Sequence, residues 1–140
     1  MSDVAVVYWS DTGNTEAMAK LIVEGVESAG KTADLIQAAD FSTDQIGNYS
    51  AIAFGCPAMG DEILEEDVFE PMFASVEKSL GNTKVALFGS YGWGDGQWMR
   101  DWVDRAKADG INLVQDLMAN EYPDDDASQQ CRDLGAKLAS

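Results

Sequence analysis

Val4-Ala5-Val6-Val7-Tyr8-Trp9 is apolar at every position. It is followed at once by Ser10-Asp11-Thr12-Gly13-Asn14-Thr15, and then by apolar residues at helical spacing: Ala17, Met18, Leu21, Ile22, Gly25 and Val26. A strand without polar alternation is buried on both faces, as in parallel sheets covered by helices. The polar loop therefore sits at a strand-to-helix turn, at the carboxyl end of the first strand. The first N–H groups of a helix have no intrahelical partner, and together with the helix dipole they favour an anion. Ser10, Thr12 and Thr15 add hydroxyls, and Gly13 lets the backbone turn closely around a ligand. No Lys or Arg precedes Lys20, so the phosphate-gripping lysine of a Walker-type loop is missing. A neutral nest of this kind suits one terminal phosphate better than a metal-bound triphosphate. The same residues would also make an ordinary Ser- or Thr-capped helix start.

The strand–helix alternation continues along the chain. The spacing predicts a helix over 15–29 stopped by Gly30, a weak edge strand at 33–36, and a short helix or turn at 41–46 capped by Ser42. A third strand is expected at 50–56 and a helix at 65–80. Pro71 lies inside that helix, so it should kink there or start at about Phe69. A strand at 84–90, a helix at 98–109 closed by Gly110, a strand at 111–118 and a helix from Asp124 to 139 complete the pattern. Five strands alternating with helices imply a three-layer α/β/α sandwich around a parallel sheet, in one domain spanning 1–140. For this length the doubly wound order 2-1-3-4-5 leads, with ligands bound beyond the carboxyl ends of the strands. That rule brings together the loops 10–15, 57–62 and 90–96.

Composition narrows the function classes. With 25 acidic and 9 basic residues the net charge is −16, which argues against nucleic acid and anionic membrane as partners. It fits macromolecular partners with basic patches, although acidity can also serve solubility alone. The absence of histidine removes histidine triads and most catalytic zinc sites. Cys56 and Cys131 form no CxxC pattern and read as two buried, reduced thiols. No apolar run approaches the ~20 residues that span a bilayer. Met1-Ser2-Asp3 brings no basic region before the first apolar stretch, so the cytoplasm is the expected location.

The loops at the strand ends carry a second kind of chemistry. Met59 offers a polarisable apolar surface, Gly60 a free backbone unit, and Asp61 and Glu62 acceptors. Tyr91 and Trp93 stand among Gly92, Gly94 and Gly96, so the backbone there can approach a flat ligand. A Trp face opposite a Met makes a slot for a planar ring. Glu62 can accept from a ring N–H, and amides over 90–94 can donate to ring carbonyls. With the phosphate loop, this describes a flat heterocycle joined by a spacer to one phosphate, which is the shape of FMN. Taken singly, Met59 can be packing, Trp93 a sheet-edge anchor, and the acidic run from Asp61 to Asp67 a solvated face.

Residues 7–16, 55–62, 87–96 and 120–124 together resemble the short-chain, clostridial-type flavodoxins, and the resemblance covers essentially the whole chain. It implies a flavodoxin-like fold, noncovalently bound FMN and low-potential one-electron transfer, mainly between semiquinone and hydroquinone. It implies no catalytic residue and no metal. Ser10, Asp11, Thr12, Gly13, Asn14 and Thr15 would surround the phosphate. Pro57, Ala58, Met59, Gly60, Asp61, Glu62, Ser90, Tyr91, Gly92, Trp93, Gly94 and Asn120 would surround the rest of the flavin. Within that set Met59 and Trp93 would flank the ring, Glu62 would accept from its N3–H, and the Gly60 carbonyl would turn toward its N5–H. Asp11 stands where relatives often carry Gly, so its side chain is expected to face solvent. Pro57 has no amide to donate. The implied partners are redox proteins with basic docking patches, steered by an acidic rim of Asp61, Glu62, Glu65, Glu66, Asp67, Asp95 and Glu121, and a monomer is expected. The rival on the same fold is an NAD(P)H-dependent FMN quinone reductase. A phosphorylated receiver domain is disfavoured because Cys56 and Pro57, not Asp, end the third strand.

Overall fold

The computed structural model describes residues 3–60, 62–92 and 94–140. Strand β1 (Val4–Tyr8) leads into helix α1 (Asn14–Ser28), and β2 (Ala33–Gln37) into the short 3-10 turns Ala38–Asp40 and Thr43–Asn48. β3 (Ala51–Gly55), α2 (Phe69–Val76), β4 (Lys84–Tyr91), α3 (Gln97–Ala108), β5 (Asn112–Asn120) and α4 (Asp125–Ala139) follow. The strands form one sheet in the order β2-β1-β3-β4-β5, and every pair is parallel. The doubly wound fold and its strand order are therefore as the sequence predicts, with β2 at an edge.

Alternate residues of each central strand serve opposite layers. Val7, Ile52, Phe54 and Leu87 pack with Phe69, Phe73, Trp98 and Trp102 of α2 and α3. Val6, Ala53, Ala86 and Phe88 pack with Met18, Ile22 and Leu134 of α1 and α4. Both faces are thus covered, which is why these strands carry no polar alternation. Cys56 and Cys131 are buried and unpaired, as expected.

Most element ends fall within one residue of the sequence reading, and three differences have a distinct physical cause. The helix expected over 65–80 is confined to Phe69–Val76. Pro71 is then its third residue, where an N–H would have no intrahelical acceptor, so the proline costs no hydrogen bond. The segment before it is held instead by Glu65, whose carboxylate accepts from the N–H groups of Asp67, Val68 and Phe69 at 2.8, 2.8 and 2.7 Å. β5 continues to Asn120, because Ala119 and Asn120 still pair with Ser90 and Tyr91. The strand carries a one-residue irregularity opposite Val85 and Ala86, where the register skips Val114. Finally, Asp124 precedes α4 as its cap, accepting from the Ala127 N–H at 2.8 Å.

Candidate functional site

The first loop is shaped by Gly13, whose φ of 99° no L side chain adopts cheaply, just ahead of α1. Ser10 Oγ accepts from the N–H groups of Gly13 and Glu16, both at 3.2 Å. Ser10 therefore does cap the helix, as the simpler reading has it. Yet the N–H groups of Asp11, Thr12, Asn14 and Thr15 have no acceptor among the described residues. Thr15 is buried and its Oγ1 accepts from the Ser90 N–H at 3.3 Å, which leaves its hydroxyl hydrogen free to donate. Asp11 is exposed, as expected. Below the loop, Tyr8 donates to Glu16 Oε2 at 3.0 Å. Burial and that carboxylate raise the phenol above its ordinary pKa.

The second loop is a small hairpin. Met59 and Ile63 exchange N–H···O bonds at 2.9 and 3.1 Å across the tip. Gly60 there has φ 41° and Glu62 φ 59°, the latter an uncommon conformation for a residue with a side chain. Glu62 Oε1 accepts from the Gly96 N–H at 3.2 Å and lies over Gly94, where a Cβ would come within 2.5 Å of it. Gly94 has φ 90°, the left-handed region that favours glycine, and a side chain there would also have to displace the Glu62 carboxylate.

Ser90 ties the loops together. Its N–H goes to Thr15, its carbonyl accepts from the Ala58 N–H at 3.0 Å, and its Oγ donates to the Glu121 carbonyl at 2.6 Å. Of the amides over 90–94 expected to donate to ring carbonyls, that of Ser90 is taken by Thr15. Asn120 Nδ2 donates to the carbonyls of Tyr91 and Gly92 at 3.3 and 3.0 Å. It therefore braces the loop after β4. The Tyr91 ring rests on Trp98, with centroids 5.7 Å apart.

The structure brings Ser10, Asp11, Thr12, Asn14, Thr15, Pro57, Ala58, Met59, Ser90 and Tyr91 around one slot of about 110 Å³. Gly13 instead lines an adjoining cleft of about 440 Å³ on the β2 side, shared with Tyr8, Trp9, Gln37 and Ala38. Sequence reasoning did not assign Trp9, Gln37 and Ala38 to a site. The signal available was Trp9 itself, a large aromatic beside the loop, absorbed into a strand that ends one residue earlier. Glu62 and Gly94 form a second group across the hairpin, and Gly60 is exposed at the tip. Asp61 and Trp93 lie outside the described residues. The expected acidic rim needs one correction: Glu65 is only 6% exposed and serves as the cap ahead of α2. Burial raises its pKa, but its three backbone donors outweigh this and hold the carboxyl below its ordinary value. The Cys56 thiol is pushed well up by burial and is no nucleophile.

A doubly wound sheet with unpaired amides at the first helix, and a slot that runs to Met59 and Tyr91 with no Lys or Arg among its described lining residues, defines a protein that holds a phosphorylated flat heterocycle. The residues fit FMN on this ground. The flavodoxin family model matches residues 6–135. The chain is 44% identical to the flavodoxin of Clostridium beijerinckii over 135 residues, covering 96% of this chain and 98% of that protein. It is 43% identical to the flavodoxin of Megasphaera elsdenii, covering 97% and 98%. The solution structure of two-electron reduced Megasphaera elsdenii flavodoxin superposes with a TM-score of 0.90 over 97% of this chain and 98% of that one. The chain belongs to the flavodoxin family, whose members bind FMN and transfer electrons. No helix among the described residues is long and apolar enough to cross a membrane.

Proposed function

We propose that residues 1–140 act as one domain that holds FMN across the three loops and carries single electrons at low potential between partner proteins. The carrying observation is the set of four unpaired N–H groups at Asp11, Thr12, Asn14 and Thr15, with the free hydroxyl hydrogens of Ser10 and Thr15 beside them. These groups would bind the phosphate, and Gly13 would let the loop close around it. Pro57, Ala58, Met59 and Tyr91 line the path toward the ring, with Gly60, Glu62, Gly92 and Gly94 at its far edge. Asp61 and Trp93 join them by sequence position. FMN supplies the redox chemistry, and the chain binds, orients and shields it.

Carboxylates crowd this end of the molecule. Glu62, Glu66, Asp67, Asp95 and Glu121 oppose any added negative charge nearby, which lowers the potential. The same charges fit partners with basic docking patches. Two buried, unpaired thiols suit a monomer working in the reducing cytoplasm.

Titration with FMN tests the reading. The protein should quench flavin fluorescence at one equivalent, and the loaded protein should oxidise NADH or NADPH only when a separate reductase is added. Failure to bind FMN would overturn the proposal, and NAD(P)H oxidation without a reductase would favour the quinone-reductase alternative.

A further inference from the structure

Glu65 is a buried carboxylate to which electron transfer assigns no role. It stands where the hairpin 57–64 returns to the body of the protein. Its side chain accepts from three backbone N–H groups, of Asp67, Val68 and Phe69. Its own N–H donates to Cys56 Sγ at 3.3 Å, at the end of β3. Cys56 is itself fixed, because its N–H donates to the Phe88 carbonyl and its carbonyl accepts from Trp98 Nε1, both at 3.1 Å. Both feet of the hairpin are thus clasped to one another and to the core. At the tip, Glu62 holds a left-handed φ of 59° with its carboxylate on the Gly96 N–H. A residue with a Cβ keeps such a backbone only where its surroundings over-determine it. The clasp at the base and the Met59–Ile63 pair above it supply that determination.

We infer that Glu65 is a positioning residue for flavin recognition: by clasping the hairpin to Cys56 and α2 it holds Glu62 at the ring end of the site, so that it controls affinity for the ring and not for the phosphate. The inference rests on the proposal that FMN occupies these loops. Glu65 makes no hydrogen bond with the loop 10–15, where Ser10 holds the N–H groups of Gly13 and Glu16. The hairpin's link to that loop runs through its first foot, where the Ala58 N–H donates to the Ser90 carbonyl and the Ser90 N–H to Thr15.

The test measures two affinities on the full chain freed of flavin: riboflavin, which lacks the phosphate, and inorganic phosphate, by competition against FMN. Glu65→Gln keeps the volume but replaces one acceptor oxygen by a donor facing an N–H. It should weaken riboflavin about tenfold and leave phosphate within about twofold. Glu66→Gln, which removes the same charge from an exposed neighbour, should weaken riboflavin by less than about twofold. In a Glu62→Gln background, Glu65→Gln should add less than about threefold, since the residue it positions is already altered. Equal losses for riboflavin and phosphate, an equal effect of Glu66→Gln, or full additivity with Glu62→Gln would each overturn the inference. If Glu65→Gln does not fold, Cys56→Ala, which removes the acceptor of the Glu65 N–H, must show the same ring-selective loss or the inference fails. An unsubstituted chain that binds neither FMN nor riboflavin would instead refute the underlying assignment of the site.

Discussion

Ser90 shows how much a single small residue can organise, with two bonds from its backbone and one from its side chain. At 3% exposure it gives a donor to Thr15, an acceptor to Ala58 and a second donor to Glu121. Ser90→Ala should lower stability by about 1 kcal/mol, read by urea unfolding, and should also weaken FMN binding. Ser75→Ala removes an equally short bond, to the Met72 carbonyl at 2.6 Å, away from the loops. It should cost stability only; equal effects of both changes on FMN would contradict this account. Titrating groups add two limbs to the pH dependence. Glu65 and Glu77 have lowered carboxyl pKa values. For Glu77 the cause is chiefly the Arg105 guanidinium, whose Nε lies 2.8 Å from Glu77 Oε2. Their contribution is complete above the ordinary carboxylate pKa and is lost as pH falls through the lowered one. Glu77→Gln should therefore flatten the fall in urea midpoint between about pH 5 and 3. At the other end, burial and the 2.7 Å bond to Asp34 push the Tyr49 phenol up to about 12. Its contribution is present below the ordinary value of about 10 and is lost as pH rises toward 12. Tyr49→Phe should remove that part of the alkaline loss.

Helices α1 and α4 pack backbone against backbone. A Cβ on Gly25 would lie 2.0 Å from the Arg132 carbonyl oxygen, and one on Gly135 2.1 Å from that of Ile22. Backbone meets backbone here, so no side chain can move aside. Gly135→Ala should cost about 3 kcal/mol, and a melting temperature within 1 °C of the parent's, about what a quarter of a kcal/mol would shift, would contradict the packing described. The elements also show what a sequence can convey. The continuous apolar strands, the helical periods and the stop at Gly30 follow from local chemistry, and the structure has them. The start of α2 was readable only as an alternative, because Pro71 is compatible with a kink or a first turn. What decides it is Glu65, whose capping role depends on burial beside Cys56. The end of β5 was missed because Ala119 and Asn120 are extended by pairing with β4, a nonlocal cause. In the site, the three loops were legible from their glycines, hydroxyls and position after strands. The inward turn of Thr15 to Ser90 and the bracing role of Asn120 were not, since each depends on a partner far along the chain.

Over the whole molecule the net charge of −16 is unevenly spread. Lys31 and Lys84 stand just before β2 and at the start of β4, Lys78 just after α2, and Lys107 and Lys137 in the last turns of α3 and α4. The end toward the amino ends of the strands thus mixes these cations with Asp3, Glu27, Glu77 and Asp109, while Arg100 is paired with Asp95 at the other end. The carboxyl ends carry Asp11, Glu62, Asp95, Glu121 and the run Asp124 to Asp126. Such a polarity would turn the loop end toward a basic partner before contact. Electron transfer with a basic reductase should therefore slow steadily as salt rises from about 50 to 300 mM, and a salt-independent rate would remove steering from the account. The central claim, an FMN protein that moves electrons one at a time, is tested most directly by anaerobic stepwise reduction of the FMN-loaded protein, followed by its visible spectrum. The account predicts two resolved one-electron steps, the second at the lower potential. A single two-electron step, or a chain that takes up no FMN, would contradict it.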